Sequence, residues 1–131
     1  MGQQQLLLLV LAVIIIGLAI LAGLTLMNDQ AARANLDALC NDLVNLGAQA
    51  QEYAVRPAIL GGGGGSFAGL TLDYLISSPA NENGSFALTV DGATRAIITG
   101  TGLRDGDGNG LACQAQIYVE MGGVNLMVME F

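Results

Sequence analysis

Histidine and lysine are both missing from this chain of 131 residues, and cysteine occurs only twice. Without histidine the chain cannot form a Ser-His-Asp triad or a Cys-His dyad, and two cysteines are too few for an ordinary zinc site. We therefore expect neither an enzyme nor a bound organic cofactor.

Positive charge is scarce, with 4 arginines against 11 acidic residues and a net charge of -7. The arginines are scattered among the acids, at positions 33, 56, 95 and 104. Because phosphate binding needs clustered basic side chains, we expect no nucleic-acid partner.

Charge of either sign is absent from residues 1–28, and residues 6–27 are almost all apolar. At about 1.5 Å per residue, a helix over residues 6–27 spans roughly 33 Å, enough for a bilayer core of about 30 Å. A cleaved secretory signal usually has a basic start and an apolar run of roughly 7–15 residues. We therefore interpret residues 1–27 as a transmembrane or filament-core helix half, and cleavage near Ala32-Arg33-Ala34 is the less favoured alternative.

The helical pattern continues through residues 28–56, where apolar residues recur at spacings of three and four. They form one stripe, which consists of Leu36, Leu39, Cys40, Leu43, Leu46, Gly47, Ala50, Tyr53 and Ala54. No proline precedes Pro57, so the pattern predicts one helix over about residues 3–55, roughly 80 Å long. Its own small head cannot bury the apolar half of so long a helix, which must contact lipid or other copies of the chain.

Residues 57–84 form a connecting region that contains a run of glycines at 61–65. The run lacks the lysine and the strand-to-helix context of a phosphate-binding loop. We interpret it as a flexible or tightly bent linker, and we expect a single helical turn within residues 66–81.

From residue 85 onward the apolar residues alternate with the period of a β-strand. The alternation is clearest at positions 86, 88 and 90 and at positions 115, 117 and 119. Asp91-Gly92 and Gly122-Gly123 are two-residue hairpin signals, so residues 85–131 are predicted to form a head of four antiparallel strands. The predicted fold class is α+β, with a long N-terminal helix packed on a small four-stranded antiparallel sheet.

This arrangement resembles a type IV pilin or pseudopilin: a polar start with a glycine (Met1-Gly2-Gln3-Gln4-Gln5), an immediate apolar helix, an amphipathic extension, a connecting loop and a C-terminal sheet. The resemblance implies a subunit that waits in the inner membrane and is extracted by pilus assembly machinery into an extracellular filament. In such proteins an early glutamate neutralises the amino terminus of a neighbouring subunit. Here three glutamines occupy that region, and no acid precedes Asp29.

We therefore expect a homopolymer held together by its N-terminal helices. The expected assembly-core residues are Leu6, Leu9, Val13, Ile16, Gly17, Ile20, Gly23 and Leu24. One alternative is a pseudopilin that works as a short periplasmic piston in a secretion system. Another is a monomeric single-span protein whose membrane-anchored head binds calcium or a partner.

The positions of the two cysteines bear on whether the head contains a disulfide. Cys40 lies on the helix stripe and Cys113 at the start of a strand, so the two can face each other where the sheet covers the stripe. In an extracytoplasmic domain of this size we expect a disulfide between them. The alternative is a pair of buried free thiols.

Asp105, Asp107 and Asn109 reproduce the first half of an EF-hand loop, with oxygen ligands at positions one, three and five and Gly110 at position six. Gln116 stands where the bidentate acid belongs. Two interpretations stay open for this segment, a structural calcium site and a metal-free loop between strands.

Overall fold

The computed structural model describes residues 2–131 and has the predicted α+β layout, a long helix packed on an antiparallel sheet. Its helices are α1 (Gly2–Val55) and the single turn α2 (Leu72–Leu75), with a 3-10 turn at Ala58–Leu60 between them. Its strands are β1 (Gly84–Asp91), β2 (Arg95–Gly102), β3 (Gln114–Glu120) and β4 (Gly123–Glu130).

The C-terminal half of α1 packs across the sheet through the predicted stripe. Its buried residues are Ala32, Leu39, Leu43, Leu46, Gly47, Ala50, Tyr53 and Ala54. Leu36 and Cys40 are only partly buried beside this core, because they lie toward one flank of the helix. The stripe is thus confirmed, with Ala32 as an addition one turn earlier than expected.

The sheet is a simple meander in the order β1-β2-β3-β4 with all neighbours antiparallel. Its inner face is centred on Ile98 of β2 and Ile117 of β3, which are directly paired and fully buried under α1. Helix and sheet approach closely at Gly47, where an added Cβ would lie 2.9 Å from Cδ1 of Ile117. The absence of a side chain at this position lets α1 lie flat on the strands.

Both predicted turns are wrong in detail. Asp91 pairs with Arg95, which leaves a loop of residues 92–94 in place of a two-residue turn. Glu120 pairs with Gly123, so the second turn consists of residues 121–122 and not 122–123. Register decides both positions, because a slip of one residue would move every inward side chain to the outer face of the sheet.

The glycine run forms a cap on the C-terminus of α1. The amide of Gly63 donates to the carbonyl of Tyr53 at 2.8 Å, and the amide of Gly65 donates to that of Ala54 at 2.7 Å. These carbonyls belong to the last turn of a helix, where no intrahelical donor remains. The connection is therefore tightly bent, and the chain folds back on the helix end.

We predict that Gly63→Ala destabilises the head by about 1–3 kcal/mol, the usual range for an overpacked position. A Cβ at this position would overlap the carbonyl oxygen of Ser66 and displace the capping amides. Urea unfolding of the full chain in detergent, followed by tyrosine fluorescence, measures the change. Gly122→Ala is the matched control because no atom lies within 4 Å of its added Cβ; equal stability of the two variants would contradict the capping role.

Candidate assembly surface

The N-terminal half of α1 makes no contact with the head. The apolar members of the predicted assembly core, namely Leu6, Leu9, Val13, Ile16, Ile20 and Leu24, are 54–65% exposed. An added Cβ at Gly17 or Gly23 would meet no atom within 4 Å. We call residues 6–27 of α1 the apolar half, and its whole circumference is available to a partner.

The chemistry of the apolar half suits an environment without water. The segment has no charged residue, and the hydroxyl of Thr25 donates to the carbonyl of Ala22 within the helix at 2.8 Å. Helical hydrogen bonds satisfy its backbone, as hydrocarbon surroundings require. α1 is long and apolar enough to cross a membrane, and a helix that is apolar on all sides needs lipid or protein around it.

The change from the apolar half to the head-binding half takes little more than one helical turn. Asp29 is the first charged residue, and it pairs with Arg33 across 3.9 Å on the exposed surface. Ala32 is the first residue that the head buries completely. Because α1 is continuous through this point, the direction of the apolar half is set by the helix itself.

Polar side chains of α1 fix the loops of the head to the helix. Asn35 accepts a hydrogen bond from the amide of Leu103 at 2.8 Å and donates to the carbonyl of Asn83 at 2.8 Å. Asp42 accepts from the side-chain amides of Asn81 and Asn83 at 2.8 and 2.7 Å. Asp42 lies outside the apolar stripe of α1, and nothing in the local sequence pattern indicates partners about forty positions away.

Cys40 and Cys113 are free thiols in the structure, so the expected disulfide is not formed in it. The buried thiol of Cys113 donates to Oδ1 of Asn35 at 3.4 Å. Burial, the charge of Asp37 and the nearby Cys113 raise the pKa of Cys40. Cys113, which immediately precedes β3, thus contacts α1 at Asn35, five residues before Cys40.

We predict that the two thiols become joined when the chain folds in an oxidising compartment. Trypsin cleaves after Arg33, Arg95 and Arg104, while Pro57 protects the bond after Arg56. The disulfide would then link peptide 34–95 to peptide 105–131, which non-reducing mass mapping detects directly. Complete alkylation of both cysteines in unfolded, unreduced protein would contradict the prediction.

The acidic loop between β2 and β3 is closed by hydrogen bonds of its own. The Asp105 carboxylate accepts from the amides of Gly110 at 2.6 Å and Gly108 at 2.7 Å. Desolvation opposes ionisation of Asp105, but these backbone bonds prevail and hold its pKa below the ordinary value. Asp107 accepts from the amide of Asn109 at 3.1 Å.

Glu130 is the acid that sequence reasoning did not place beside this loop. Its carboxylate accepts from the side-chain amide of Asn109 at 2.5 Å, because the end of β4 runs alongside the loop. The structure thus brings a third carboxylate beside Asp105 and Asp107. Calcium binding at Asp105, Asp107 and Asn109 stays a prediction.

Comparison with protein-family models, with curated proteins and with solved structures finds no significant match for this chain.

Proposed function

We propose that the chain is the structural subunit of an extracellular helical filament of the type IV pilus kind, a homopolymer held by its apolar helix halves. One observation carries the proposal: a completely uncovered apolar helix half continues without a break into a folded head. Before assembly the apolar half rests in the inner membrane, and pilus assembly machinery moves the subunit into the filament. In the filament the same surface packs against other copies.

Gly17 and Gly23 favour a filament over a simple membrane anchor. Small residues let helix backbones approach closely where apolar helices associate. Each glycine lowers helix stability by about 1 kcal/mol relative to alanine, a cost that close packing of a second helix offsets. Both positions are open in the isolated chain, so close approach of a neighbouring helix gives them a role.

Two rival functions use the same helix differently. A pseudopilin would assemble only into a short piston below a secretion channel. A monomeric anchored protein would leave its apolar half in lipid and act through its head, for example by binding calcium at Asp105, Asp107 and Asn109. The small head and the long unpartnered helix favour the filament subunit over both rivals.

We predict that material sheared from the cell surface contains ordered fibres of this chain under the electron microscope. Gly17→Leu should abolish the fibres while the subunit stays in the membrane, because a large side chain separates the packed helices. Gly17→Ala is the matched control and should retain fibres, since alanine still permits close approach. Detergent-soluble monomers from the wild-type chain, or normal fibres from Gly17→Leu, would contradict the proposal.

A further inference from the structure

The inner face of the sheet extends beyond the part that α1 covers. Val124, Leu126 and Val128 of β4 lie opposite three fully buried residues of β3 and share their face of the sheet. They are nevertheless 38–48% exposed, because α1 lies mainly over β2 and β3. The core surface therefore continues into solvent as an apolar strip.

The flank of α1 beside this strip contributes further apolar side chains. Val44 is 48% exposed, and Leu36 and Cys40 are partly buried. Together with the strip they form what we call the β4 groove, which is lined by Leu36, Cys40, Val44, Val124, Leu126 and Val128.

The β4 groove has defined ends. At one end Val124 lies against α1, where an added Cβ on Gly47 would be 3.5 Å from its Cγ1. At the other end the guanidinium of Arg33 stacks over the ring of Phe131, 5.4 Å from its centroid. Beside this stack an open space of about 410 Å³ extends to Leu36 and Asp37.

The acidic charge of the chain favours an uncharged occupant of the β4 groove. All of the charged residues lie beyond residue 28, and the chain carries a net charge of -7. Docking of one head into another would bring acidic surfaces together. The apolar half of α1 is free of charge and exposed, so it suits the groove electrostatically.

The occupant must come from a second copy. α1 is one continuous helix over Gly2–Val55, so a chain cannot bend its own apolar half back onto its own head. The β4 groove and the apolar half are also similar in length. The eight residues of β4 span about 27 Å at 3.4 Å per residue, and residues 6–27 span roughly 33 Å as a helix.

We propose that the β4 groove of one copy receives the apolar half of α1 of a second copy in the filament. The inference rests on the proposed filament function and adds a specific head-to-helix contact to the helix-to-helix packing. It also explains why β4 keeps apolar side chains on a face that the isolated head leaves exposed.

Photo-crosslinking in fibres tests the contact. A photoreactive phenylalanine analogue replaces Leu126 in the full chain, and the same analogue at Met127 is the matched control, because the adjacent residue points to the opposite face of the strand. Fibres are grown from a mixture of ¹⁵N-labelled and unlabelled subunits and irradiated. Trypsin then releases peptide 1–33 separately from peptide 105–131, so mass spectrometry identifies any joined pair.

The expected result is a mixed-isotope link between peptide 105–131 and peptide 1–33, at least ten times more abundant for position 126 than for position 127. Equal yields at the two positions, or links from position 126 to lipid, to detergent or to residues 34–131 of another copy, overturn this inference and leave the filament function standing. Failure of the wild-type chain to form fibres overturns the filament function itself, and this inference with it.

Discussion

Because α1 passes without a break from its apolar half to its head-binding half, the chain cannot cover residues 6–27 with its own head. Bending there would sacrifice helical hydrogen bonds, and no proline or chain break permits it. This constraint determines which parts of α1 the head covers. The head covers only the second half of the helix, and the apolar first half needs lipid or a protein surface around it.

Apolar packing and hydrogen bonds from the loops together hold the head to α1. Leu39 and Leu43 lie in the core between helix and sheet, the absence of a side chain at Gly47 allows close approach, and Asn35 ties the helix to the loop after β2. The glycine run then closes the helix end. These contacts fix the head to the same continuous helix that carries the apolar half.

Periodicity predicted the elements well, because α1 and the strands show their burial directly in the spacing of Leu39, Leu43, Ile117 and similar residues. Contacts between distant segments could not be predicted in this way. Nothing near Gly63 indicates that its amide caps the helix, and Asn35 meets Leu103 across 68 positions of sequence. The exposure of β4 could not be predicted from the sequence either, since an alternating strand has the same pattern whether or not a helix covers it.

Dissociation of the fibres by salt and by detergent tests most directly whether apolar burial holds the assembly. Each apolar side chain of residues 6–27 that becomes buried contributes roughly 1.5–3 kcal/mol, whereas an exposed ion pair contributes about 0–1 kcal/mol. Burial of even half of these side chains therefore outweighs an exposed ion pair. In about 1 M salt, where the Debye length is about 3 Å, the fibres should stay intact or bundle as repulsion between acidic heads is screened. A detergent that replaces helix contacts should dissolve them. Fibres that fall apart in molar salt but survive harsh detergent would show that charged contacts between heads carry the assembly.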